Sequence, residues 1–82
     1  MKFKTTKIKI EKRAFTYEGI DYNLYLIPEK SNGDDILSFY INKEGYGDLH
    51  HVFGIKDFLL YDIEEMIINN IEHFVNLVKD EI

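Results

Sequence analysis

The three histidines are the side chains with the clearest chemical potential, because imidazole is the commonest general base and metal ligand in proteins. His50 and His51 are adjacent. Neighbours on a strand point to opposite faces, so without a bulge this pair does not share one metal ion. His73 lies in a segment of helical pattern. Three histidines in three directions do not indicate a metal site, and we predict none.

Asp48 and His50 are the best candidates for catalysis. Two residues apart on a strand, they share a face and could form a carboxylate–imidazole dyad beside Tyr46. A dyad also needs a nucleophile or a third ligand, and the sequence nominates none. A solvated polar face is therefore the favoured interpretation, with a small hydrolase or nuclease-like enzyme using Asp48 and His50 as the alternative. We predict no catalytic residue and no cofactor.

The glycines and loop acids match no ligand-binding motif. Gly45-Tyr46-Gly47 lies in a predicted hairpin turn rather than between a strand and a helix, which argues against a phosphate-binding loop. Residues 32–35 offer oxygen ligands but lack the alternating aspartates and distal glutamate of a calcium loop. The chain contains no cysteine, which excludes disulfides and thiolate metal sites.

Length and composition favour one small folded domain. The chain has 82 residues, of which 45% are hydrophobic and 15% aromatic, too apolar for an intrinsically disordered protein. No apolar run exceeds the four residues 58–61, whereas a membrane-spanning helix needs about 20. The first ten residues are charged where a signal peptide requires an apolar stretch. We therefore expect a cytoplasmic protein with no membrane contact.

Alternating polar and apolar residues predict a four-stranded antiparallel β-meander. The alternation changes phase near residues 11–13, which favours one long bent strand there, with two short strands as the alternative. Pro28 is expected to end the second strand because proline cannot donate to a ladder. The four strands are expected at about residues 4–17, 22–28, 35–43 and 46–53.

The last part of the chain predicts one long helix, at about residues 58–80, packed on one face of the sheet. Asp57 or Asp62 is expected to cap it, and Asp62 has capping-box spacing to Glu65. The fold class is therefore α+β. The apolar residues that step by three or four along the helix are Leu60, Ile63, Ile67, Ile71, Phe74 and Val78.

Further apolar residues widen this helical stripe to roughly 200°, twice the ~100° that contact with one sheet requires. Either the sheet curls around the helix, or the second flank of the helix meets another subunit. The second interpretation predicts a homodimer. The candidate self-association residues are Met66 and Leu77 on one flank and Ile68 and Val75 on the other.

Charge is distributed unevenly along the chain. Residues 1–13 hold six bases and one acid, a net charge of +5, and residues 14–82 have a net charge of −10. Lysines at alternate positions of the first strand are typical of a guarded sheet edge. The alternative is a nucleic-acid binder that uses this basic strand and the sheet tyrosines. Nucleic acid is the less favoured partner, because acids surround Tyr40 and Tyr46.

The leading hypothesis is a non-enzymatic protein–protein interaction domain with an acidic surface. Its expected partner is a basic enzyme such as a nuclease, which would make the chain an inhibitor, an immunity protein or a phage anti-defence protein. Acidic residues attract such a partner, and tyrosines are frequent binding anchors. The predicted interface residues are Asp34, Asp35, Tyr40, Tyr46, Asp48, Asp62, Glu65 and Glu72.

Overall fold

The computed structural model describes residues 10–81, which form one antiparallel sheet followed by short helical segments. The strands lie in the order β1-β2-β3-β4, which confirms the predicted α+β class and meander. Residues 4–9 of the first predicted strand lie outside the described residues. Within residues 10–81, no helix has the length and apolar character that crossing a bilayer requires. The elements are β1 (Glu11–Tyr17), β2 (Ile20–Ser31), β3 (Asp34–Lys43), β4 (His50–Lys56), a 3-10 turn (Phe58–Leu60), α1 (Ile63–Asn69) and α2 (Ile71–Asn76).

The core lies between one face of the sheet and the helices. Phe74 of α2 is fully buried, and its ring centroid lies 6.0 Å from that of Phe39 on β3. The residues that alternate with the core residues along the strands form a second face, which no helix covers in residues 10–81. We call it the open face. The buried apolar residues of the core are Tyr22, Leu24, Leu26, Leu37, Phe39, Ile41, Ile67, Phe74, Val75 and Val78.

The prediction of one long helix at 58–80 is wrong, because the segment contains a 3-10 turn and two short helices. Asp62 caps α1, its carboxylate accepting from the backbone N–H of Glu65 at 3.2 Å. The helix is interrupted at Asn70. The Asn70 side chain donates to the carbonyl of Met66, which the Asn70 backbone N–H would bond in a continuous helix. That N–H bonds Ile67 instead, at 3.1 Å.

Strand β2 is longer than predicted and continues through Pro28. The described pairing with β1 ends where Glu11 faces Leu26, whereas the pairing with β3 continues as far as Ser31 opposite Asp34. Beyond Leu26, β2 is therefore an edge on its β1 side among residues 10–81, and proline is tolerated at a sheet edge.

Strand β4 contains a bulge that changes which histidine lies on which face. Phe39 of β3 pairs with Phe53, but the next residue, Tyr40, pairs with His51, so Val52 is the extra residue. His51 therefore shares the open face with Tyr40. Regular alternation along an unbulged strand would place His51 on the same face as Phe53, and the bulge is the physical reason for the difference.

Candidate protein-interaction surfaces

The two most exposed large apolar side chains among residues 10–81 lie in one turn. Asp57 adopts a left-handed conformation, with φ 52° and ψ 36°, which turns the chain out of β4. The 3-10 turn is closed by the backbone N–H of Leu60, which donates to the carbonyl of Asp57 at 2.9 Å. Phe58 is half-buried against the core and anchors the turn. We call the next three residues, Leu59, Leu60 and Tyr61, the apolar turn.

The apolar turn projects into solvent. Leu59 is 85% exposed, Leu60 is 83% exposed and Tyr61 is 51% exposed. Scattered exposed apolar residues are ordinary on protein surfaces, whereas three in a row form a patch. Sequence reasoning placed Leu60 on the buried helical stripe and missed this patch. The available signal was a run of four apolar residues between two aspartates, Asp57 and Asp62, both of which can stop a helix.

A cleft of about 510 Å³ lies beside the apolar turn and is lined on its other side by acids. Asp34 and Asp35, both predicted interface residues, are in this lining together with Asp57. Lys56 also lines it and lies 3.5 Å from the carboxylate of Asp34. Lys30 lies 3.0 Å from the carboxylate of Asp35. Neither Asp57 nor Asp62 has a basic partner within residues 10–81.

A second, smaller cleft of about 250 Å³ lies on the other side of the turn. Tyr61 lines it together with Leu26 and Leu37, two buried residues of the core. Arg13 and Glu11 contribute the polar part of this lining, and Arg13 bonds the carboxylates of Glu11 and Glu64. The apolar turn therefore stands between two depressions, a shape that a complementary partner surface can enclose.

The other predicted interface residues are dispersed. Glu65 and Glu72 are exposed on α1 and α2, respectively. Tyr46 and Asp48 lie in the segment between β3 and β4. Tyr40 lies on the open face, where simple strand alternation had also placed it.

The residues predicted for self-association differ in accessibility. Val75 is 3% exposed and Met66 is half-buried against the chain's own core. Ile68 and Leu77 are 68% and 44% exposed. The helix break at Asn70 also separates α1 from α2, so the wide apolar arc that motivated the homodimer is shared between two short helices.

The imidazole of His50 has a carboxylate partner that the sequence did not reveal. Its Nε2 lies 2.8 Å from Oε2 of Glu81, just beyond the helices. Lys43 donates to the backbone carbonyl of Glu81 at 2.6 Å, so both contacts hold this end of the chain against β3 and β4. No group of three or more potential metal ligands occurs among the described residues. Asp48, the predicted dyad partner, lies in the preceding loop.

A polar cluster occupies the open face around Glu29. One carboxylate oxygen, Oε1, accepts from the Ser38 hydroxyl at 2.7 Å, and Oε2 accepts from the Tyr40 hydroxyl at 2.8 Å. The ring of His51 lies 5.0 Å from that of Tyr40. These hydrogen bonds, from Ser38 first and Tyr40 second, lower the pKa of Glu29, and the charge of His51 acts in the same direction. The bond to Glu29 raises the pKa of Tyr40.

The lowered pKa of Glu29 makes its stabilisation pH-dependent. A carboxyl group whose pKa is lower in the folded state stabilises the fold above its ordinary pKa of 4.5, and that stabilisation is lost as the pH falls through the folded value. We expect Tyr40→Phe, which removes one donor, to raise the pKa of Glu29 towards 4.5. Carboxyl-carbon NMR titration measures this shift, and an unchanged midpoint would show that the Tyr40 bond does not form in solution.

Comparison of the chain with protein-family models, with curated proteins and with solved structures returns no match. An antiparallel meander with helices on one face is compatible with many functions, because function resides in sites rather than in folds. The function of this chain must therefore be inferred from the surfaces described above.

Proposed function

We propose that this chain is a non-enzymatic protein–protein interaction domain whose main binding surface is the apolar turn. The observation that supports the proposal is the consecutive exposure of Leu59, Leu60 and Tyr61, at 85%, 83% and 51%. Transfer of each leucine from water into a partner's pocket is worth about 1.5–3 kcal/mol. Tyrosine is enriched among the residues that dominate binding energy. The turn therefore offers a compact set of anchors.

The local charges define the partner's chemistry. Asp34, Asp35, Asp57 and Asp62 lie around or beside the apolar turn, and the chain as a whole has a net charge of −5. A partner with an apolar pocket and a basic rim complements this arrangement. A basic enzyme such as a nuclease has this character, which supports an inhibitor or immunity role. The acids disfavour an anionic membrane surface as the occupant, since that surface attracts bases.

The decisive experiment compares two serine variants. Leu59→Ser/Leu60→Ser removes the apolar turn, and Leu49→Ser removes an exposed apolar side chain elsewhere, between β3 and β4. The immobilised wild-type chain is used to capture partners from a lysate of the source cell, and the dissociation constant of each purified partner is then measured. We expect the double variant to weaken binding at least about tenfold, which corresponds to about 1.4 kcal/mol, and the control to leave it unchanged.

Salt and self-association complete the test. Because the acids steer a basic partner, the association rate should fall as salt rises, with screening over about 8 Å at physiological strength. Light scattering of the purified chain shows whether it binds a second copy of itself. If it does, loss of the dimer in Ile68→Ser/Leu77→Ser identifies the predicted self-association surface. Equal affinity of the double variant and the wild type would eliminate the apolar turn as the binding surface.

A further inference from the structure

The carboxylate of Glu29 is fixed in orientation before any ligand arrives. Ser38 and Tyr40 each donate one hydrogen bond, and each bond goes to a different carboxylate oxygen, at 2.7 and 2.8 Å. An ionised carboxylate offers about four acceptor positions, so about two remain available. They lie on an exposed residue of the open face.

Glu29 forms no ion pair with a lysine or arginine among the described residues. The bases on the neighbouring parts of the sheet are used elsewhere, since Lys30 pairs with Asp35 and Lys56 pairs with Asp34. Glu29 on β2 is directly opposite Ile36 on β3, and Ile36 is directly opposite Lys56 on β4. Lys56 is therefore two strands away from Glu29. The open face thus presents a preoriented carboxylate that pairs with no described lysine or arginine, with the imidazole of His51 as the nearby titratable base.

An aromatic row crosses the sheet beside this anion. Tyr25 of β2 is directly opposite Tyr40 of β3, which is directly opposite His51 of β4. The rings of Tyr40 and His51 are 5.0 Å apart and tilted by 58°. Tyr25 and Tyr40 are half-buried and His51 is exposed, so the row is accessible from solvent.

We propose that Glu29 and the ring of Tyr40 form a binding site for an arginine side chain of a partner protein. A guanidinium is planar and can donate two parallel hydrogen bonds to one carboxylate while its flat face lies against an aromatic ring. A lysine ammonium is a point charge and lacks the paired donors. Nucleic acid fits less well, because Glu29 and Asp21 on this face repel phosphate. The inference rests on the proposed function, since it supplies a second contact for a basic protein partner.

The test uses a short peptide rather than the unidentified partner. Acetyl-Gly-Arg-Gly-amide is titrated into the isotope-labelled chain, and the amide signals of Glu29, Ser38 and Tyr40 are followed by NMR. The lysine counterpart of this peptide and a deoxythymidine decamer are titrated in parallel. We expect the arginine peptide to shift these signals, and to bind several-fold more tightly than the lysine peptide because of its paired donors.

Five variants separate a specific site from general attraction. Glu29→Gln should weaken binding about tenfold, the loss of one charged hydrogen-bonded contact. Glu18→Gln removes the same charge from the turn between β1 and β2 and should have no effect. Tyr40→Leu removes the ring and should weaken binding more than Tyr40→Phe, which keeps it. Leu59→Ser/Leu60→Ser should still bind the peptide, so failure of the apolar turn and failure of this site are distinguishable.

Three results would overturn the arginine site. Equal binding of the arginine and lysine peptides would reduce it to charge attraction, and so would equal losses in Glu29→Gln and Glu18→Gln. Tighter binding of the deoxythymidine decamer on the open face would assign the aromatic row to nucleic acid. The folded state of every variant is checked from its amide spectrum before titration, so that a loss of binding is not confused with unfolding.

Discussion

Replacing Phe74 with alanine is expected to lower the free energy of unfolding by about 3–5 kcal/mol, the range for a large aromatic residue removed from a core. Phe74 is fully buried, and its ring lies 6.0 Å from that of Phe39 and 5.8 Å from that of Phe53. It therefore joins α2 to both β3 and β4. Domains of this kind are stable by only about 5–15 kcal/mol in total, so the variant should be close to unfolding. Urea denaturation followed by circular dichroism measures the change.

The matched control is Leu59→Ala, a large apolar residue truncated fifteen positions away at 85% exposure. Because Leu59 is in contact with solvent, its truncation should change the free energy of unfolding by less than about 0.5 kcal/mol. A loss comparable with that of Phe74→Ala would mean that the apolar turn packs against the domain in solution. It would then be part of the core, and the proposed binding surface would not exist.

Comparing Phe74→Ala with Leu59→Ala tests whether the apolar turn is part of the packed core. Truncating a residue that supports the fold lowers the free energy of unfolding. The leucines of the apolar turn have no described packing role in the core, so their truncation should change it little. An exposed patch also favours aggregation, which is a disadvantage unless a partner covers it. This disadvantage is the physical reason for the proposal that a partner covers the apolar turn.

The buried helical residues were predictable because their spacing alone places them on one face. Ile67, Phe74 and Val78 step by seven and four, and all three are buried. The break at Asn70 was not predictable from that spacing. It depends on a side-chain amide that competes for one backbone carbonyl, a local preference that apolar periodicity does not register.

The same limit applies to the surfaces. Asp34 and Asp35 were predicted as interface residues from their charge, but their position beside the apolar turn depends on tertiary contacts. Glu29 was missed because its partners, Ser38 and Tyr40, lie on the neighbouring strand. Predicting a cluster of this kind requires the pairing register between two strands. Alternation in the sequence predicts which face of the sheet a residue lies on, but not which residue lies opposite it.

Gly54 connects the packing of the sheet to the polar cluster on the open face. The fourth strand was predicted to end at about residue 53, yet Gly54 lies within β4, directly opposite Ser38. A Cβ atom at this position would lie 2.8 Å from Cγ2 of Ile36 and 3.2 Å from Oγ of Ser38. The Cγ2 atom is attached at the branched carbon of isoleucine, whose χ1 rotation is restricted. The neighbour therefore cannot move aside freely.

Gly54→Val is accordingly expected to lower the free energy of unfolding by about 1–3 kcal/mol through overpacking. Gly47→Ala is the control, because an added Cβ there meets no atom within 4 Å; it should be neutral or slightly stabilising. The crowding at Gly54 also displaces the Ser38 hydroxyl, the first of the two donors that lower the pKa of Glu29. The pKa of Glu29 should therefore rise in Gly54→Val and stay constant in Gly47→Ala, as measured by carboxyl-carbon NMR. A destabilised Gly54→Val with an unchanged Glu29 titration would show that the packing of β4 and the orientation of this carboxylate are independent.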